Sequence, residues 1–219
     1  PMHQERIYRS LVKRDDLESF HVSVKETDLW VQAEKNLEHE TRELVLKYRG
    51  YIESYIQENP GFLTTLNPWR IKGVAPKIVY DMALAGHLAG VGPMAAVAGA
   101  VAECVGLELL GCSSQVVVEN GGDIFLKSDR PIVSAIYAGD SPLSLKIGIS
   151  LKPSGVPVGI CTSSGTIGHS YSMGKADAAC VISKSCALSD AAATAICNHV
   201  DSPGSIEHAI AFGKQISGV

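Results

Sequence analysis

The apolar positions at the start of the chain fall into two registers. His21-Val22-Ser23-Val24 alternates, and Asp28-Leu29-Trp30-Val31 resumes the alternation, so residues 20 to 31 predict strand structure. Residues 6 to 12 read as a further strand. From 33 to 57 the period lengthens to that of a helix: Leu37, Leu44, Val45, Tyr48, Tyr51, Ile52 and Tyr55 share one side. Asn59-Pro60-Gly61 stops it. Residues 62 to 76, with Pro68 and Pro76, predict irregular chain. A second helix is predicted over 77–89, ended at Gly90-Val91-Gly92, and a third over 93–105 with Pro93 in its first turn. Ala95, Ala96, Ala98, Gly99, Ala100 and Ala102 are so small that another backbone must pack close to that third helix.

Strand-like patterns dominate the second half of the chain. Residues 115–119 and 123–126 predict a hairpin across Asn120-Gly121-Gly122, since Asn-Gly supplies the positive φ angles of a tight turn. Further strands are predicted at 131–138, 144–151, 157–161 and 177–183, with a polar loop at 162–175. Helices are predicted at 187–198 and 205–217. Strands flanking a central group of helices indicate an α+β fold rather than a doubly wound sheet.

Composition narrows the picture. At 219 residues and 46% hydrophobic content, one domain over residues 1–219 is expected, with a sizeable core. The net charge is −4 and there is no basic block, so nucleic acid is not an expected partner. Residues 82–111 are the most apolar window, but Gly86, His87, Gly90, Gly92, Pro93, Glu103 and Glu108 interrupt it, so no membrane span is expected. The first sixteen residues contain neither an apolar signal core nor a lipobox-like cysteine, and a cytoplasmic protein is the expectation.

The six cysteines form no CxxC pair and show no zinc-ligand spacing with histidine. They read as reduced core thiols. Cys161, just before Thr162-Ser163-Ser164-Gly165, is the one candidate for a reactive thiol.

The candidate chemistry lies mostly in residues 159–198. Asp190 and Thr194, four apart on a helix, share a face. A carboxylate and a hydroxyl suit a hard cation such as Mg²⁺ holding a phosphate. Upstream, Glu119 and Asp123 flank Asn120-Gly121-Gly122. These groups together indicate a phosphate-bearing small molecule. Plainer readings stand beside each one. Ser189 or Asp190 would serve as a helix N-cap, a helical threonine bonds the preceding turn, and the double glycine is explained as a turn alone. Gly92, Pro93 and Met94 form a tight helix entry that would present backbone groups to a phosphate. His169 reads either as a general base near neutral pH or as a loop histidine. His87 and His199 read as structural. Trp30 and Trp69 read as packing residues, although Trp69 would also cover a flat ring.

Taken in chain order, Gly92 to Ala100, Glu119 to Asp123, Cys161 to Gly165, Gly168-His169-Ser170 and Asp190 to Thr194 resemble the uncharacterised ApbE-like family. This is a branch of the superfamily that contains the FAD:protein FMN transferases. The resemblance runs from about residue 6 to the C-terminus. It implies a T-fold-related architecture of antiparallel sheets with packed helices, and a cleft where Mg²⁺ bridges the FAD pyrophosphate. Asp190 and Thr194 match the metal ligands of ApbE proteins, Gly121 and Gly122 the double-glycine loop, and Thr162 to Gly165 the serine/threonine loop. The ApbE Lys-Gly pair is replaced by Gly-Pro-Met-Ala-Ala-Val-Ala-Gly, and only Gly168-His169-Ser170-Tyr171-Ser172-Met173-Gly174 stands in place of the His-Ile-Ile-Asp-Pro motif. Through the matched metal ligands and loops, the resemblance implies Mg²⁺-dependent phosphoryl transfer on FAD or a related nucleotide. Its alternatives are flavin or nucleotide binding without turnover, or an accessory role in sulfide assimilation and homocysteine formation.

Overall fold

A computed structural model describes residues 16–165 and 174–219. The predicted strand at 6–12 and the predicted base His169 lie outside these residues. Eight strands are present among them: β1 (Glu18–Val24), β2 (Thr27–Ala33), β3 (Val116–Asn120), β4 (Asp123–Lys127), β5 (Ile132–Ala135), β6 (Gly148–Leu151), β7 (Val158–Ser163) and β8 (Ala179–Ser183). The helices are α1 (Glu38–Glu58), the single turn α2 (Gly61–Thr64), α3 (Lys77–Ala89), α4 (Val97–Leu109), α5 (Cys186–Asn198) and α6 (Ile206–Gly213). Six strands form one antiparallel sheet in the order β1-β2-β3-β4-β7-β8, and β5 and β6 make a separate hairpin. The α+β expectation is met.

Local sequence accounts for the elements. Val22, Leu29, Val31, Val116, Val118 and Phe125 are the buried half of an alternating pattern, and they face the helices. The β3–β4 turn closes on Gly121 and Gly122, at φ 69° and 112°, a pair of angles that glycine alone adopts freely. α1 begins at Glu38 rather than residue 33, because Ala33 still pairs with Val116 as the last residue of β2. α4 runs through Gly106 to Leu109. Gly106 is not a breaker there: a Cβ on it would lie 2.1 Å from Cδ1 of Phe125, so the missing side chain makes room for that ring. Pro93–Ala96 forms a 3₁₀ turn ahead of α4.

α5 is the central helix. Of its thirteen residues, eleven are buried, among them Ser189, Asp190 and Thr194. A helix enclosed on every side is ordinarily apolar all round; this one carries a carboxylate and two hydroxyls. It lies across β7 and β8 and packs on α3 and α4. The expected close approach of a backbone is found at two glycines: a Cβ on Gly99 would meet the Cys186 carbonyl at 2.4 Å, and one on Gly159 would meet the Cys186 Cα at 2.4 Å. No single helix among the described residues is long and apolar enough to cross a membrane. The apolar α3 and the 3₁₀–α4 segment are bent by 107° at their junction and contribute to the core.

Candidate functional site

One row of side chains crosses the helix-facing side of the sheet: Val22, Leu29, Asn120, Asp123, Cys161 and Val181, each directly opposite the next. Directly opposed residues in antiparallel strands share a face. Asn120 and Asp123 are the polar interruption in that row, delivered by the two ends of the Gly121-Gly122 turn. The Asn120 amide donates to the Ala98 carbonyl at 3.0 Å, tying the hairpin to the first turn of α4. Asp123 is 8% exposed, and among the described residues its buried Oδ1 has no hydrogen-bond partner.

Asp190 reaches the same place from α5. Its Oδ2 accepts from the Gly99 N–H at 2.8 Å. The N-cap of α5 itself is Ser185, whose hydroxyl accepts from Leu188 N, so the alternative of Ser189 or Asp190 as N-cap is corrected. Asp190 instead places its carboxyl group at the start of the neighbouring helix, where the α4 dipole favours the ionised form. Burial is the largest cause holding Asp190 well above the usual carboxylate range, and the charge of Asp123 adds to it. Bonds from Gly99 and Ala98 pull the other way. Burial also pushes Asp123 up to about 7, with a Cys161 hydrogen bond opposing and the Glu119 charge adding. Thr194, one turn along from Asp190, lies 3.5 Å from the Ser163 hydroxyl at the end of β7. Asp190, Thr194, Asp123 and Ser163 therefore arrive from one helix and two strands.

The remaining candidates divide. Glu119 points to the opposite face of the sheet, where its Oε1 accepts from Gly122 N at 3.1 Å and braces the double-glycine turn. Thr162 belongs to β7, and its N–H donates to the Gly122 carbonyl at 3.3 Å. Gly165 closes the base of the following loop: its N–H donates to the Ala176 carbonyl, and a Cβ on it would lie 1.8 Å from the Gly174 carbonyl. Ser164 is half-buried beside it. Gly92 and Pro93 are buried, and a Cβ on Gly92 would meet the Thr65 carbonyl at 2.0 Å, while Met94 packs against the core. That segment holds chain against chain.

Cys161 does not have the setting of a nucleophile. It is 0% exposed, its thiol contacts the carbonyl and the sulfur of Cys186 at 3.3 and 3.5 Å, and burial raises its pKa well above the usual range. A reactive thiol needs the opposite, exposure and a lowered pKa. Trp69 is a packing residue. It stands edge-on to Phe62 at 5.9 Å and donates to the Tyr55 hydroxyl at 3.2 Å.

Sequence reasoning missed Glu103. Its Oε2 accepts from Ala187 N at 3.0 Å and from the Ser185 hydroxyl at 3.1 Å. α4 thus caps α5 through Glu103 while α5 caps α4 through Asp190. The signal available was an acid among small apolar residues of a helical stretch.

The donor set fits a hard cation that also binds phosphate. No group of three or more His, Cys, Asp or Glu that could hold a metal occurs among the described residues. One or two carboxylates with hydroxyl and carbonyl oxygens is the partial shell that Mg²⁺ completes with phosphate and water.

A family model described as AbpE bacteria matches residues 9–214. The UPF0280 protein of Methanocaldococcus jannaschii is 44% identical over 180 residues, covering 81% of this chain and 73% of the relative. That of Methanocella arvoryzae is 40% identical over 198 residues, covering 90% and 80%. Among solved structures, the apo flavinyl transferase ApbE of Pseudomonas stutzeri superposes with a TM-score of 0.54 at 13% identity, covering 91% of this chain and 88% of that one. The flavin transferase ApbE of Vibrio cholerae gives 0.55 at 13% identity, with 90% of each chain covered. At such identity the likeness speaks for the fold alone.

Proposed function

Because this chain belongs to the uncharacterised ApbE-like family, we propose that it binds a nucleotide pyrophosphate through Mg²⁺, with FAD as the first candidate ligand. The observation that carries this reading is the Asp190–Thr194 pair, buried on one face of a central helix at the start of α4. Burying a carboxylate costs several kcal/mol; the bond from Gly99 N–H offsets part of that, and a cation would offset the rest. Asp190 and Thr194 hold the cation. The Gly121-Gly122 turn and the Thr162–Gly165 segment meet the ligand. When bound, Mg²⁺ neutralises pyrophosphate charge and makes the phosphorus a better electrophile.

The names of the two solved neighbours make a flavin the ligand to try first. His169 is the base this reading assigns to phosphoryl transfer. A second reading, binding without turnover, is favoured by the absence of lysine between Gly92 and Gly99. A thiol role in sulfur handling finds no support at Cys161, which is enclosed.

Incubation with FAD and Mg²⁺, with chromatography of the products, separates these. Release of AMP with FMN left free or transferred, lost in Asp190→Asn, is the result expected of an enzyme. Retention of intact FAD, Mg²⁺-dependent and also lost in Asp190→Asn, supports the second reading. FAD neither retained nor converted overturns both.

A further inference from the structure

We propose that Asp123 is a further cation ligand of this site, offering Oδ1, and that the cation therefore loads before the nucleotide. The inference rests on the proposed Mg²⁺ site and extends it to a residue on the other side of the cleft. Three observations carry it. First, Oδ1 of Asp123 is buried and has no hydrogen-bond partner among the described residues. A buried carboxylate oxygen left without a donor is among the costliest groups a protein interior can hold.

Second, its direction is set. Asp123 stands directly opposite Cys161 on one side and Asn120 on the other, in the row that faces α4 and α5. Its neighbours there are bound to those helices: Asn120 to the Ala98 carbonyl, Cys161 to the Cys186 carbonyl. Third, Asp190 meets the same turn of α4, its Oδ2 accepting from Gly99 N next to the Ala98 carbonyl that holds Asn120, the residue opposite Asp123, and among the described residues no lysine or arginine is paired with either carboxylate. Two close carboxylates without a cationic side chain call for a cation from solution.

The charge balance then decides the order of binding. A single carboxylate with a threonine hydroxyl leaves Mg²⁺ dependent on the phosphates of its nucleotide. Two carboxylates, once the cation has displaced their protons, match a divalent charge on their own, so the ion binds the free protein and the pyrophosphate comes second.

Mn²⁺ is the probe, read by the loss of the free-ion electron paramagnetic resonance signal as metal is added to nucleotide-free protein. One Mn²⁺ per chain is expected for the wild type. Asp123→Asn, nearly identical in shape, is expected to bind at least tenfold more weakly, and Asp123→Ser likewise. Melting curves of both variants establish that they fold. If Asp123→Asn binds Mn²⁺ within twofold of the wild type, or if the wild type binds Mn²⁺ only when ADP is added, the proposal is overturned. Asp190→Asn separates the two claims. Binding lost in Asp190→Asn but kept in Asp123→Asn removes this inference and leaves the site reading standing, whereas binding kept in both removes the site reading as well.

Discussion

At the scale of single residues, the site is a set of polar groups placed where packing would have chosen apolar ones. Asp123 sits in a row with Val22, Leu29 and Val181, and Asp190 sits between Ser189 and Ala191 in a buried helix. Both carboxylates are raised, by burial first of all. A carboxyl raised on folding takes up a proton as the chain folds. Its contribution to stability is complete below the unfolded value, ordinarily 3.8, and is lost as pH rises through the folded value, about 7 for Asp123. The metal-free protein is therefore expected to melt at a lower temperature at pH 8 than at pH 5.5, and Asp123→Asn is expected to flatten that slope. Melting curves across this range in EDTA check it; an equal slope in wild type and variant would show that Asp123 is not the group responsible. How far single residues were legible depended on their chemistry. The Asp190–Thr194 pair could be read because helical spacing fixes which residues share a face. Cys161 could not, because the strand continues to Ser163 and turns the thiol inward instead of opening a loop at residue 162.

At the scale of elements, the crossing of α4 and α5 positions the site. Each helix supplies a carboxylate to the first turn of the other: Glu103 to Ala187 N, and Asp190 to Gly99 N. Gly99 lets the two backbones touch, since a Cβ there would lie 2.4 Å from the Cys186 carbonyl and 2.8 Å from the Asp190 Cβ. Glu103→Ala is expected to cost about 0.5–2 kcal/mol, the range for losing a helix cap. Gly99→Ala is expected to cost about 1–3 kcal/mol as overpacking, and also to weaken cation binding by pushing Asp190 aside. Urea unfolding measures the first effect in both variants, and metal titration is expected to separate them. A Gly99→Ala protein with unchanged cation affinity would mean that the crossing does not set the site. The element pattern itself was largely readable. The helix over 77–89 and the Gly121-Gly122 hairpin come from local signals. The third helix is predicted to end at residue 105, whereas α4 continues through Gly106 to Leu109, and only the Phe125 ring on a strand distant in sequence explains that glycine. The reciprocal capping was invisible for the same reason: its partners, Glu103 with Ala187 and Gly99 with Asp190, lie far apart in the chain.

At the scale of the whole molecule, the sheet and helices act as a frame that brings residues 98–99, 120–123, 161–163 and 190–194 together at the start of α4 and the middle of α5. The α+β class was legible from the distribution of strand and helix periods. The ApbE-like architecture was legible only through the order of five short motifs, none of which is specific alone. The central claim concerns what that frame holds. Calorimetric titration of FAD, FMN and ADP into the protein, with Mg²⁺ and with EDTA, tests it most directly. The account predicts binding of FAD and ADP that requires Mg²⁺ and is weakened at least tenfold in Asp190→Asn. Binding of none of the three, or binding indifferent to EDTA and to Asp190→Asn, would contradict it.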